Sequence, residues 1–295
     1  MQRSGQRSGR SKGSLKILLA KEMGLCFGVK RALALVEKAA TEHGHLHTLG
    51  AVVHNRQVMA SLESRGVASV TSLSEVAEGA VAVPSHGAPP AVFAEAESRG
   101  LTLLDATCPM VKAAQQRARQ WAEKGFLVVI FGDPDHTEVK GIAAWARDRA
   151  IIVSSEDDLA GLPSAAKIAL LSQTTQSLAS FRHLASCLIQ QRLGASSQLL
   201  VHNTICNATA DRQAAALDLA RQVDVMIVVG SRDSANTGRL TALCTVHTPT
   251  HQVESADDLE PAWFAGVGLV GVTAGASTPD WIVQPVVERI RHFDH

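Results

Sequence analysis

The sequence predicts an α/β fold: three similar small units with mostly parallel sheets, arranged around a shared centre. Two observations carry that prediction. Short apolar runs alternate with amphipathic segments along the whole chain, the pattern of layered α/β structure. In addition, a strand-like run, a cysteine and a helix start recur in that order at Cys26, Cys108 and Cys206. The intervals between these cysteines each hold enough residues for one small α/β unit, although the self-similarity in sequence is weak.

Taken in order, Leu15–Ala20 reads as a strand. Val29 to His43 reads as a helix, because Ala32, Leu35, Val36 and Ala39 recur at helical spacing. A strand is expected near Leu46 and another over Ala80–Pro84. Pro89–Arg99 is a helix with proline near its start. Leu101–Asp105 is a strand, and Met110–Lys124 a helix ended by Gly125. Phe126–Phe131 is a buried strand, Lys167–Leu171 another, and Ser177–Arg192 a helix. Strands follow at Leu199–His202, Val223–Val229 and Val267–Val272, and a last helix from Thr278 to Phe293. The expected division is a flexible basic tail over 1–13, then units over 14–107, 108–205 and 206–295.

Composition narrows the function. The 295 residues carry 28 Lys+Arg against 28 Asp+Glu, so the basic surplus of a dedicated nucleic-acid binder is missing. Hydrophobic residues at 46% support a packed core. No run approaches the ~20 apolar residues of a membrane span. The first residues hold Arg3, Arg7, Arg10 and Lys12 with no apolar stretch, which is unlike a signal peptide. Five cysteines, an odd count without a secretion signal, point to a reducing compartment, with a cytoplasmic location expected, and the missing C-x-x-C pair disfavours a zinc ribbon or a thioredoxin-type site.

In open α/β sheets, ligands gather at the carboxyl ends of strands. There the chain places the three cysteines, His54, His86 and His136, Glu138, Thr174 and Thr175, Ser234, Asn236 and Ser277. Three thiolates from different units suit an iron–sulfur cluster, with a three-cysteine zinc site as the competing metal. Cys187 and Cys244 read instead as small buried hydrophobes. The histidines with Ser234, Asn236 and Ser277 read as a phosphate or diphosphate cradle. Taken singly, each of Ser234, Asn236, Ser277, Thr174 and Thr175 is better explained as a helix cap. Glu138 is either a first-turn acid complementing a helix dipole or a proton donor. The glycines at 266, 268 and 271 match a dinucleotide fingerprint by letter only, since they lie within a strand-like run.

From about Leu15 to the end, the chain resembles the LytB/IspH family, the 4-hydroxy-3-methylbut-2-enyl diphosphate (HMBPP) reductases. The resemblance is carried by GLCFGVKRA (24–32), VVHNRQV (52–58), SHG (85–87), DATCPMV (105–111), HTEVKG (136–141) and SQTTQS (172–177). It continues through NTICNAT (203–209), DRQ (211–213), VVGSRDSAN (228–236) and GVTAGASTPD (271–280). It implies three α/β units around one [4Fe–4S] cluster held by Cys26, Cys108 and Cys206. It implies diphosphate binding by His54, His86, Ser234, Asn236 and Ser277, substrate binding by His136, proton supply by Glu138, and orientation of the substrate hydroxyl by Thr174. The reaction implied is reductive dehydroxylation of an allylic alcohol in the non-mevalonate isoprenoid route, fed by a ferredoxin or flavodoxin.

Two departures from the family pattern stand out. Ala235 replaces a serine of the diphosphate loop, and Asn203 and Asn207 flank the third cysteine motif. The competing readings are a paralogue reducing another allylic diphosphate, a non-catalytic cluster sensor, and a zinc or cysteine-nucleophile enzyme. Retention of Glu138 and Thr174 argues against the sensor, which needs no proton relay.

Overall fold

The structure is a computed structural model that describes residues 15–293; the basic tail expected over 1–13 lies outside them. The chain opens with β1 (Lys16–Leu19) and α1 (Phe27–His43). Next come β2 (Leu46–Leu49), α2 (Arg56–Glu63), β3 (Val67–Val70), β4 (Ala80–Val83), α3 (Pro90–Ser98), β5 (Thr102–Asp105) and α4 (Pro109–Glu123). The middle part holds β6 (Leu127–Phe131), α5 (Thr137–Trp145), β7 (Ala150–Val153), β8 (Lys167–Ser172), α6 (Leu178–Arg192) and β9 (Gln198–Val201). The last part holds α7 (Asn207–Ala220), β10 (Val225–Val229), α8 (Ala235–Thr245), β11 (Thr250–Val253), β12 (Leu269–Ala274) and α9 (Asp280–Arg291).

The strands form three four-stranded sheets, ordered β1-β12-β10-β11, β5-β4-β2-β3 and β9-β8-β6-β7. All their strand pairs are parallel. Three similar parallel α/β units are therefore present. The inner strands β6, β8 and β10 are apolar runs rich in Val, Ile and Leu, as expected where helices cover both faces, whereas β2 carries His47 and Thr48. Ile130, Ile168, Leu170, Met226 and Ile227 are fully buried, each contributing on the order of 1.5–3 kcal/mol by leaving water.

One expectation changes. The sequence reading grouped the first strand with residues up to 107, but β1 pairs with β12. The sheet of the last unit is thus completed from both ends of the chain. The reason lies in the helices that follow the cysteines. Each leaves the edge strand of one sheet and packs against the next. Ala32 and Val36 of α1 share one core with Leu46 of β2 and with Val270 and Val272 of β12. Likewise Ala114 and Ala118 of α4 pack with Val128, Ile130 and Ala169 of the β6–β8 sheet.

The outer strands β3, β7 and β11 are four residues each, and the sequence reading found none of them. A common turn ends all three. An acid folds back to accept two consecutive backbone N–H groups. Glu75 accepts from Thr71 and Ser72, both at 2.9 Å. Asp158 accepts from Ser154 at 2.7 Å and Ser155 at 3.0 Å. Asp258 accepts from Glu254 at 2.7 Å and Ser255 at 3.2 Å. Charge-assisted bonds to otherwise orphaned amides fix these corners.

Polar clamps join the units. Arg56 makes a forked contact with Asp233 at 2.8 and 3.2 Å. Trp145 donates its indole N–H to the Ala88 carbonyl at 3.1 Å, and Arg212 donates to the Gly24 carbonyl at 3.1 Å. Among the described residues no helix is long and apolar enough to cross a membrane.

Candidate functional site

The loops at the carboxyl ends of the strands line one cavity, and the three sheets contribute by the same rule. The edge strands β1, β5 and β9 lead to Cys26, Cys108 and Cys206. The second strands β12, β4 and β8 lead to Ser277, His86 and Thr174. The third strands β10, β2 and β6 lead to Ser234 and Asn236, to His54, and to His136 and Glu138. All twelve residues singled out at the strand ends, Thr175 included, line this cavity.

The cysteines occupy equivalent backbone positions. Each immediately precedes a helix, with extended backbone in two cases. The Cys26 N–H donates to the Ala276 carbonyl at 3.0 Å, that of Cys108 to Ser85 at 2.9 Å, and that of Cys206 to Thr174 at 2.9 Å. Each cysteine is therefore tied to the loop after its neighbouring strand, which also carries a polar candidate. Burial pushes the Cys108 thiol up, the Met110 and Val111 N–H groups pull it down, and the two other cysteines push it up again.

The three sulfurs do not all lie within 4.8 Å of one another. Sulfurs on one zinc stand at most about 4.6 Å apart, twice the Zn–S bond. Thiolates that each hold a different iron of a cluster stand farther apart. Three thiols lining one cavity could together hold a metal centre.

Facing the cysteines is a fully buried acid. Glu138 sits in the first turn of α5 and is 3% exposed. Its Oε1 accepts from the Thr174 N–H at 2.6 Å and its Oε2 from the Thr174 hydroxyl at 2.9 Å. Burial raises its pKa, while these two bonds and the Arg239 charge oppose the rise. Glu138 is thus a first-turn acid, and burial pushes its carboxyl toward the protonated form.

The imidazoles cluster in the same cavity, His54 stacked on His86 and edge-on to His136. His54 and His86 rings lie 4.9 Å apart, and His54 and His136 5.0 Å. Desolvation and mutual repulsion lower His86 to about 3, and burial followed by His54 and Arg239 lowers His136 to about 4. Burial also lowers His54, with Asp233 acting against it. His136 caps α5 by accepting the Glu138 N–H on Nδ1 at 3.1 Å, so in the neutral ring the proton sits on Nε2.

Several buried polar atoms here have no protein partner: His54 Nε2, His86 Nδ1, and both amide atoms of Asn236. Leaving them unpaired costs about 1–3 kcal/mol each, which a hydrogen-bonding ligand would recover. The two hydroxyls differ in the capacity they have spent. Ser234 caps α8, accepting the Thr237 N–H at 3.3 Å, and Ser277 donates to the His54 carbonyl at 3.1 Å. Ala235 lines the cavity without a hydroxyl, whereas Asn207 is exposed and does not line it.

Sequence reasoning missed Arg239. This α8 residue reaches into the neighbouring unit and donates to Gln176 at 3.2 Å, Thr175 at 3.0 Å and Gln173 at 3.1 Å. It holds the loop that carries Thr174 from behind. Its only sequence signal was position, one helical turn beyond Asn236. Cys187 also differs from expectation. It is not a buried hydrophobe but a half-buried thiol 3.1 Å from Glu156 on the outer surface; Cys244 is buried as expected.

Fold and cavity together define a three-unit α/β protein whose central cavity holds three cysteines, unpartnered polar side chains and a buried acid. The family model described as LytB protein matches residues 17–291. The 4-hydroxy-3-methylbut-2-enyl diphosphate reductase of Geobacter metallireducens is 46% identical over 281 residues, covering 95% of this chain and 98% of the relative. That of Dehalococcoides mccartyi (strain CBDB1) is 42% identical over 273 residues, covering 92% and 96%. The solved E-1-hydroxy-2-methyl-but-2-enyl-4-diphosphate reductase from Plasmodium falciparum superposes with a TM-score of 0.88 at 26% identity, covering 93% of this chain and 87% of that one. A solved (E)-4-hydroxy-3-methyl-but-2-enyl diphosphate reductase gives 0.69 at 36% identity, covering 94% and 99%. The chain belongs to the LytB family.

Proposed function

We propose that this chain is an iron–sulfur oxidoreductase that converts HMBPP to isopentenyl and dimethylallyl diphosphate, with one [4Fe–4S] cluster on Cys26, Cys108 and Cys206. The supporting observation is the buried Glu138–Thr174 pair sharing a cavity with three thiols and with unpartnered anion donors. The named activity of relatives at 46% and 42% identity supports the same reading. Two electrons and two protons replace the allylic hydroxyl with hydrogen and release water. When bound, the cluster supplies electrons one at a time and Lewis acidity.

The chain's own groups do the rest. Asn236, His54 and His86 hold the diphosphate, joined by Ser234 and Ser277. His136 offers Nε2–H to the substrate. Thr174 orients the hydroxyl and keeps Glu138 in place, and Glu138 gives its proton to the departing oxygen. A ferredoxin or flavodoxin supplies electrons, and a cytoplasmic setting suits an oxygen-sensitive cluster. The decisive experiment is anaerobic turnover of HMBPP with a chemical reductant, on protein whose iron and sulfide have been counted. Formation of both five-carbon diphosphates supports the proposal; a full cluster without turnover overturns it in favour of the paralogue or the sensor.

The depressed imidazoles give a first prediction. His86 at about 3 and His136 at about 4 are neutral at pH 7 in the free cavity. A bound diphosphate favours their charged forms and raises these values. Binding therefore takes up protons, and affinity strengthens as pH falls toward the range of the free-state values. Calorimetry of inorganic pyrophosphate in buffers of different ionisation enthalpy measures this directly. Zero uptake would mean that the imidazoles bind only as neutral N–H donors.

Arg239 gives a second prediction. Its charge opposes the upward shift of Glu138. In Arg239→Met the Glu138 pKa rises further, so the alkaline limb of the kcat profile moves to higher pH while kcat falls as the Thr174 loop loosens. Loss of a merely structural clamp would lower kcat without moving the limb. Arg239→Lys restores the limb more than the rate, because lysine keeps a charge but lacks the fork.

A further inference from the structure

Outside the cavity, one cluster of ligand-bearing side chains has no task in the proposed reaction. Glu156, His183 and Cys187 bring a carboxylate oxygen, an imidazole nitrogen and a thiol sulfur within 4.8 Å of one another, the one such group of three among the described residues. Glu156 Oε2 lies 2.7 Å from His183 Nε2 and 3.1 Å from Cys187 Sγ, and Sγ lies 3.8 Å from Nε2. We propose that these three residues form a surface site for a borderline-soft divalent cation of the zinc type, separate from the central cavity.

The arrangement follows from local structure. His183 and Cys187 stand four apart on α6, so they share one helix face as stacked neighbours. Glu156 comes from the corner after β7. That corner is held by Asp158, whose Oδ2 accepts from Ser154 and Ser155 and is thereby occupied. Glu156 is thus presented on a fixed turn that does not need it. The equivalent positions of the two other turns confirm this independence: there the chain has Leu73 and Ala256.

The donor set decides the class of ion. One sulfur, one imidazole nitrogen and one carboxylate oxygen match zinc, which binds all three types at 2.0–2.3 Å in roughly tetrahedral geometry. Magnesium and calcium prefer oxygen alone. The separations of 2.7 to 3.8 Å are close to those three tetrahedral ligands need. Binding displaces the thiol proton, and half-exposed side chains leave the fourth position to water. A bound ion would staple the β7 corner to α6 on the outside of the middle unit.

The test uses the anaerobically reconstituted full chain, so that the central cysteines are already committed. Zinc chloride alone is titrated by calorimetry, and alkylation of Cys187 is followed by mass spectrometry with and without zinc. The expected result is one zinc per chain outside the cluster, slowed alkylation of Cys187, and a zinc-dependent rise in unfolding temperature. Cys187→Ser and His183→Ala should each weaken binding at least about tenfold while HMBPP turnover is unchanged. No saturable binding, or binding that survives in the double variant, overturns the proposal and leaves an ordinary His–Glu ion pair with a hydrogen-bonded thiol.

Discussion

Glu138→Gln is expected to abolish turnover while leaving the protein at least as stable as the parent at neutral and alkaline pH. The loss follows from removing the proposed proton donor, a contribution of about 10²–10⁴-fold for a positioned acid. Retained stability follows from the geometry. Glutamine can accept the Thr174 N–H on its oxygen and donate to the Thr174 hydroxyl through its NH₂, replacing both bonds that Glu138 makes. The sign of the pH effect is fixed by burial. The folded-state pKa of Glu138 lies above its ordinary value of 4.5, so the fold favours the protonated form. That stabilisation is fully present below about 4.5 and is lost as pH rises through the folded value. Glutamine cannot ionise and avoids the loss. Turnover is measured anaerobically, and Tm is compared at pH 5 and pH 8. A variant that still turns over with parental kcat would move proton delivery to another group. A variant with a lower Tm at pH 8 than the parent would mean that the carboxylate, not the acid, is the form the fold holds.

The inner strands and the helices around the cysteines were legible because their signals are strong and local. FLVVIF and VMIVV are continuous apolar runs, and Pro109 and Gly125 bracket α4. The outer strands β3, β7 and β11 were not legible. Four residues such as THQV carry neither a long apolar run nor clear alternation, and such strands are fixed by pairing rather than by propensity. A signal for them did exist in the turns that follow. Thr71-Ser72-Leu73-Ser74-Glu75, Ser154-Ser155-Glu156-Asp157-Asp158 and Glu254-Ser255-Ala256-Asp257-Asp258 each end a short strand with an acid four residues on. Aligning those corners would have exposed the threefold repeat that sequence self-similarity hid. It would also have shown that the last unit lacks its edge strand, which the amino end of the chain provides as β1.

The cavity was more legible than the fold because polar residues after apolar strands have few reasons to recur. Its long-range supports were hidden. Arg239 looks from the sequence like a solvated helix residue, and only the packing of α8 against the Gln173–Gln176 loop turns it inward. Cys187 looked like core because α6 is apolar on one face; its actual position beside Glu156 depends on a corner thirty-odd residues away in sequence. The single-residue explanation for Ser234 also survives, since its hydroxyl does cap α8. Accepting the Thr237 N–H leaves the Ser234 O–H free to donate, so capping and a polar contact to a ligand are compatible; Asn236 has both amide atoms unpartnered.

Gly28→Ala should remove the cluster from an otherwise folded protein. Gly28 is buried in the first turn of α1 with ordinary helical backbone, so alanine there gains roughly 0.5–1 kcal/mol of helix propensity. Space decides the outcome instead. A Cβ at this position would fall inside contact distance of Cys108 Sγ, 3.2 Å from Cys108 Cβ and 4.0 Å from Cys26 Sγ. The glycine lies between two of the three thiols, so the bare Cα–H is what lets them approach one centre. Cys108 cannot back away as a whole, because its N–H is bound to Ser85 and Pro109 starts α4 directly behind it. Its side chain must rotate, taking the sulfur off the common centre. A ligand shell disturbed in this way loses about 10–100-fold in metal affinity or activity. Iron and sulfide counted after reconstitution should fall well below four per chain, turnover should fall with them, and the helical circular dichroism should stay at the parental level. Full iron and sulfide with parental turnover would show that Cys108 holds its iron from a different rotamer, and that the crowding at Gly28 belongs to the metal-free arrangement alone.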